Sequence, residues 1–239
     1  MAKESVAARL PGRLLPRSFF EDAPERVSPR LLGKLLVARD RRRHIMSGRI
    51  VEVEAYLGPH NSPPDPAAHT HRGPTPRNSV IFGPPGHAYV YLIYGRYFCM
   101  NINCEPAGLA GCILLRALEP VAGVDAMAAN RGLPKDSAPC LLTSGPSRLC
   151  QALGLTRVTH NGLDLTRADS PLQVRDDGCA IAEALVTVRI GIKHAAERPL
   201  RFAVPDNSCV SGPKNLTGQR MPIENRILPD GRVFSKKIS

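Results

Sequence analysis

The stretch VEVEAY, residues 51–56, alternates small apolar side chains with polar ones. A period of two predicts a β-strand, with Val51, Val53 and Ala55 on one face and Glu52, Glu54 and Tyr56 on the other. Acidic residues are poor strand formers, and like charges two positions apart on one face repel. The anomaly is sharper because the chain of 239 residues carries a formal net charge of +11. Something must be gained by placing two acids there.

Working outward, more strands are expected in LLVAR (35–39), in GCILLRALEP (111–120, ended by Pro120), in residues 163–176 and 180–193, and in PLRFAV (199–204). HAYVYLIYGRYFCMNIN (87–103) reads as two strands around Tyr94-Gly95-Arg96. In residues 18–39, Ser28-Pro29 is a helix-start signal, and Leu31, Leu32, Leu35 and Leu36 follow at helical spacing. VAGVDAMAANRG (121–132) reads as a helix stopped at Gly132, and SGPSRLCQALGL (144–155) as one with a Ser cap and Pro146 in its first turn. Residues 57–79 hold six prolines and three histidines, a loop long enough to imply function or disorder. The expected fold is α+β: a single domain with a curved, largely antiparallel β-sheet, surrounded by helices and carrying a protruding β-hairpin. Its expected bounds are 18–212, between a flexible basic arm (1–17) and a flexible basic tail (213–239).

The positive balance points to a polyanionic partner, nucleic acid or an anionic membrane surface, against the plainer reading of a generic basic protein. No apolar run is long enough to span a bilayer, and the first 20 residues lack the apolar core of a secretory signal. The seven cysteines form no C-x-x-C pair, so free thiols in a reducing compartment are expected. His69-x-His71, near His60 and His87, has no second ligand pair to complete a zinc site. A zinc deaminase would need H-x-E and P-C-x-x-C, and neither occurs. No phosphate-binding loop, dinucleotide fingerprint or nucleophile elbow appears.

All five tyrosines, Tyr56, Tyr89, Tyr91, Tyr94 and Tyr97, lie between 56 and 97. Tyr89 and Tyr97 read as core residues with hydroxyls reaching out. Tyr91 and Tyr94 fit stacking on bases, or a wedge at a hairpin tip, better than burial.

The strings VEVEAYLGP, AAH, TPRN, YVYLIYGRYFCMNIN, LLRALEP and SGPSRLCQAL, in this order, resemble the alkyladenine (3-methyladenine) DNA glycosylase family from about Phe19 to Ser211. The resemblance implies a monofunctional enzyme without metal or cofactor that flips alkylated or deaminated purines from duplex DNA and leaves abasic sites. It implies Glu54 as the catalytic acid that deprotonates water, with Arg116 and the main-chain carbonyl of Ile190 as further water contacts. It implies Tyr56 and His69 as one wall of the base pocket, Tyr91 as the other, and Asn101 as the residue that crowds guanine's 2-amino group. It implies that Tyr94 enters the duplex and that Arg77 serves the DNA backbone or supports the pocket, while Arg96, next to the hairpin tip, suits a phosphate or the strand opposite the lesion. The expected partner is damaged double-stranded DNA with no membrane, the expected state a monomer, and the expected location cytoplasm and nucleoid, or nucleus in a eukaryote. GPHNSPPDPAAH (58–69) departs from the family pattern in its extra proline.

The chemistry needs one carboxylate beside the bond, because cleavage builds positive charge on the sugar and an alkylated purine is already a good leaving group. Glu52 then reads as the partner of a nearby arginine. A non-catalytic damaged-DNA-binding module would need the same charge and tyrosines but not Glu54, and an RNA-binding protein is a third, weaker reading.

Overall fold

The computed structural model describes residues 10–213 and 217–223. Within them, β1 (Arg13–Leu14), β2 (Leu35–Arg39), β3 (Ile45–Tyr56), β4 (Ala88–Ile93), β5 (Tyr97–Cys104), β6 (Gly111–Ala122), β7 (Leu172–Asp176), β8 (Glu183–Thr187), β9 (Arg201–Ala203) and β10 (Gln219–Pro222) form one open sheet. The main order is β1-β7-β2-β3-β6-β5-β4, while β9 joins β3 to β8 and β10 adds to β8. All the pairings are antiparallel. Five α-helices accompany it among the described residues: α1 (Pro24–Leu31), α2 (Val124–Arg131), α3 (Pro139–Thr143), α4 (Pro146–Ala152) and α5 (Arg157–His160).

β3 and β6 are the longest strands, 12 residues each, and lie side by side in the middle of the sheet. Ile50, Val53 and Ala55 of β3 and Ile113, Leu115 and Leu118 of β6 are fully buried in the main core with Leu31 and Leu32. Each large aliphatic side chain buried there contributes about 1.5–3 kcal/mol, which fixes the register of the two strands. The β4–β5 hairpin turns at Tyr94-Gly95-Arg96, as the sequence predicts.

The structure differs from the sequence reading at several places. The first helix starts at Pro24, with Glu25 in its first turn, and ends by Leu31, so Pro29 lies inside it and Leu35 and Leu36 belong to β2. Pro24 at the first helical position lacks an N–H where none is needed, a stronger start than Ser28-Pro29. Ser144 closes α3 rather than capping α4, whose N-cap is Gly145. β6 runs through Pro120 to Ala122. Two segments read as loose from composition hold paired strands, β1 on β7 and β10 on β8; the rest of the basic arm and tail, 1–9, 214–216 and 224–239, lies outside the described residues. The expectation of free thiols fails for one pair: Cys140 and Cys209 form a disulfide, their Cα atoms 4.6 Å apart. Sequence spacing gave no hint, because α3 and the 205–211 segment meet only through the fold.

Candidate active site

β3 and β6 pair with Ile50 opposite Leu118, then Glu52 opposite Ala117, then Val53 opposite Leu115. Val51 and Arg116 are each skipped, so the two strands carry compensating bulges at adjacent positions. A bulge re-aims a side chain that strict alternation would send elsewhere. Val51 leaves the face of Val53 and Ala55 and packs with Ala117 and Cys209, which corrects the simple alternation read from the sequence. Arg116 turns toward both glutamates, its Nε donating to Glu52 Oε1 at 2.8 Å and its Nη1 lying 3.1 Å from Glu54 Oε1.

Glu54 is fully buried. Its Oε1 faces Arg116 Nη1 and accepts the Ile190 backbone N–H at 2.8 Å, and its Oε2 accepts the Tyr56 hydroxyl at 2.9 Å. Burial, and then the charge of Glu54, push the Tyr56 phenol well above its ordinary pKa, so it stays a donor to the carboxylate. The arginine is held charged: burial opposes its charge, but Glu54 and Glu52 outweigh it and raise its pKa. A carboxylate offers about four lone-pair sites. Among the described residues, Oε1 takes one hydrogen bond beside the Arg116 charge and Oε2 takes one, from Tyr56, which leaves Oε2 a lone pair without a donor.

Above this carboxylate lies a cleft of about 400 Å³ lined by Tyr56, His69, Tyr91, Tyr94, Asn101, Arg116 and Ile190, with Cys99, Cys112 and Ser147. The structure thus gathers seven of the ten residues singled out in the sequence around one space, over an eighth, Glu54. Tyr91 is stacked on Tyr89, centroids 4.9 Å apart and planes 22° apart. His69 stands edge-on to Tyr91 at 4.6 Å. A flat ring between two others needs their centroids about 7 Å apart, twice the van der Waals separation. His69 therefore stands beside Tyr91 here, not across a ring's width from it. Burial pushes the Cys99 thiol up and the Cys112 thiol up to about 12, so neither presents a thiolate. Cys112 Sγ accepts from Asn101 Nδ2 at 3.1 Å and fixes that amide at the cleft wall.

The remaining two serve the hairpin. Tyr94 stands at its tip 88% exposed with φ of 49°, a backbone state that non-glycine residues rarely hold. Arg96 lies over the Tyr97 ring at 4.7 Å. Tyr97 is therefore exposed rather than core, whereas Tyr89 is 1% exposed as expected. Arg77 donates to Leu92 O at 3.3 Å and lies 5.8 Å from the Tyr91 ring, so it braces the hairpin near its tip.

Sequence reading missed the residues that hold the pocket loop. Asp65, in the proline-rich stretch, and Arg189 form a fully buried ion pair, with Arg189 Nη2 donating to Asp65 Oδ1 at 2.9 Å. Asp65 Oδ2 also accepts from the Leu57 N–H, and Arg189 Nη1 donates to Ala55 O at 3.0 Å. The same guanidinium lies 4.7 Å from the Tyr56 ring. Asn78, the last residue of TPRN, donates from Nδ2 to His69 O at 2.9 Å. The only signal in the sequence is an isolated acid among prolines and an arginine next to Ile190.

Burial, then the charge of Arg77, push His69 below its ordinary pKa. The unfolded chain therefore takes up this proton at higher pH than the folded one, and folding loses stability as pH falls below the ordinary histidine range. The expected outcome is that His69→Gln, which stays neutral, loses less melting temperature than the wild type between pH 7 and pH 5. Parallel thermal scans at both pH values check it.

Residues 18–208 match the family model of methylpurine-DNA glycosylase. A protein of Koribacter versatilis, named as a proposed 3-methyladenine DNA glycosylase, is 50% identical over 216 residues, covering 90% of this chain and 100% of that protein. Proteins with the same name from Burkholderia lata and Nitrobacter winogradskyi are 46% identical (89% of this chain, 98% of theirs) and 44% identical (87% and 91%).

Proposed function

The chain belongs to the methylpurine-DNA glycosylase family, and from that premise we propose that it excises 3-methyladenine and related alkylated or deaminated purines, among them 7-methylguanine, hypoxanthine and ethenoadenine, from duplex DNA. The observation that carries this reading is the Glu54 carboxylate, held by two hydrogen-bond donors and the Arg116 charge beneath an aromatic cleft.

A water on the open lone pair of Glu54 Oε2 gives its proton to the carboxylate as its oxygen bonds to the sugar's anomeric carbon. The N-glycosidic bond breaks, its electron pair leaves with the purine, and an abasic site remains. The carboxylate also offsets the positive charge that builds on the sugar. Arg116 and the Ile190 N–H hold Glu54 rather than competing for its proton. The Ile190 carbonyl and Arg116 are the further water contacts that the family resemblance implies. 3-Methyladenine and 7-methylguanine, cationic in DNA, leave as neutral bases without a proton donor, whereas neutral lesions such as hypoxanthine need one. Among the described residues no lysine lines the cleft, which supports hydrolysis without a lyase step.

The target base leaves the stack and lies against Tyr56, His69 and Tyr91, and Asn101 crowds an amino group at guanine's 2-position. Tyr94 fills the vacated stack. Arg77, Arg96 and the exposed Arg148 of α4 face phosphates, so affinity falls steeply with salt. Among the described residues no helix is long and apolar enough to cross a membrane, and the proposed setting is the nucleoid, with the protein acting as a monomer.

The test is incubation with duplexes carrying one 3-methyladenine or one hypoxanthine, followed by alkali to break abasic sites. Cleavage of both is expected, cleavage of 3-methyladenine alone would confine the pocket to good leaving groups, and cleavage of neither would overturn the reading. Tyr94→Ala is expected to slow excision from duplex DNA about 100-fold, since unstacking costs a few kcal/mol and each 1.4 kcal/mol is tenfold. Excision from a single strand, where no stack is to be filled, should change far less, and single-turnover rates on both substrates check this.

A further inference from the structure

Glu52 is a buried acid beside Glu54 that the chemistry above does not use. It is fully buried, and its Oε1 accepts both Arg116 Nε at 2.8 Å and Arg201 Nε at 2.7 Å. Its Oε2 accepts the Ser211 backbone N–H at 2.6 Å. Arg116 completes its contacts with Nη2 to Ser211 Oγ at 3.2 Å, and Arg201 with Nη2 to Ser211 O at 2.7 Å and Nη1 to Thr187 Oγ1 at 3.2 Å. The arrangement is a row of four charges, Arg201–Glu52–Arg116–Glu54, alternating in sign and summing to zero.

Stability does not explain this row. A buried ion pair can often be exchanged for apolar residues of similar volume at no loss, because desolvation offsets the Coulomb gain. Two compensating bulges are also spent on bringing Arg116 into it. What the row does achieve is geometric. Glu52 fixes the Nε edge of Arg116, and a guanidinium is planar, so the direction of Nη1 toward Glu54 is then set. Ser211, two residues from the disulfide at Cys209, closes the other side.

We propose that Glu52 is a positioning residue for excision: it aims Arg116 at Glu54. Glu52 touches neither base nor water in this scheme. Its effect passes through Arg116. The inference rests on the proposed role of Glu54 as the group that takes the water's proton.

Glu52→Gln preserves shape but removes the carboxylate that holds the Nε edges of Arg116 and Arg201. The single-turnover rate per active site should then drop 10-fold or more, while the dissociation constant for lesion duplex stays within about twofold. A defect of packing alone lowers the amount of active protein and leaves the rate per active site where it was. Glu52→Asp keeps the charge but shortens the arm, and should also show a lowered rate at normal duplex affinity.

The experiment is single-turnover excision from a 3-methyladenine duplex at pH 7, on wild type and both variants, with active-site concentration set by titration against duplex and duplex affinity measured alongside. Absence of release by the wild type sinks the proposed function rather than the role of Glu52. A wild-type rate in Glu52→Gln overturns the proposal. Should Glu52→Gln not fold, Glu52→Asp decides: a lowered rate at normal duplex affinity supports the proposal, and a wild-type rate overturns it.

Discussion

Glu54→Gln is expected to lower release of 3-methyladenine from duplex DNA by about 10⁴-fold while leaving lesion binding nearly intact. Two effects are lost together. A positioned general base contributes 10²–10⁴, and a charge placed where the transition state develops its own adds about 10²–10³. These act through one atom pair, so they do not multiply in full. Binding survives because glutamine keeps a carbonyl oxygen to accept the Ile190 N–H, now 2.8 Å from Glu54 Oε1. The cleft lining is otherwise unchanged. Single-turnover excision alongside fluorescence anisotropy on the same duplex separates the two. A variant within tenfold of wild-type rate would show that another group activates the water.

Asp65→Ala should destabilise the protein by about 3–5 kcal/mol. That is the cost of removing one partner of a buried pair and leaving the other charge in an apolar place. Arg189 is fully buried, and its guanidinium would keep the Ala55 and Ala195 carbonyls but lose its counter-charge. Leu57 N–H would also lose its acceptor. Urea titration measures the loss, and a change below 1 kcal/mol would mean that solvent reaches Arg189. The double variant Asp65→Ala/Arg189→Met, which removes both charges, should recover much of the stability. It should not recover full excision, because Arg189 also lies against the Tyr56 ring that borders the pocket.

The strand content was legible because β3, β4, β5 and β6 each bury one face against a common core, and that imprints a period of two. Tyr94 was legible because its neighbour Gly95 marks a turn, which leaves the side chain at the tip nowhere to be buried. The pocket residues came from resemblance to known strings, and the fold brings most of them to one cleft. Bulges were invisible. Nothing in IVEVEA distinguishes a regular strand from one in which Val51 is skipped, since the cause lies on β6, some 65 residues away. The Asp65–Arg189 pair was hidden for the same reason, and Glu52 was legible as an arginine's partner but not as Arg201's, since partners separated by 124 and 149 positions leave no local pattern. The first helix was misplaced because two prolines competed as start signals. Leu31, Leu32, Leu35 and Leu36 fit a helical face equally well whether or not the last two have crossed into β2.

On the proposed reading, only some of the recognition groups share the centre of this sheet with the chemical group. Glu54, Arg116 and Tyr56 lie on its two central strands, flanked by β2, β5 and β9, whereas His69 rides on a loop and Tyr94 on a hairpin tip. Amide exchange in such a sheet proceeds from the rim inward, with loop and tip opening locally and the centre opening only when the whole molecule does. Mild heat or denaturant should therefore blind the protein before disarming it: it would cease to hold a flipped base while the carboxylate still stands in place. Loss of affinity, with the turnover of whatever remains bound unaltered, is the form that early damage to this enzyme would take.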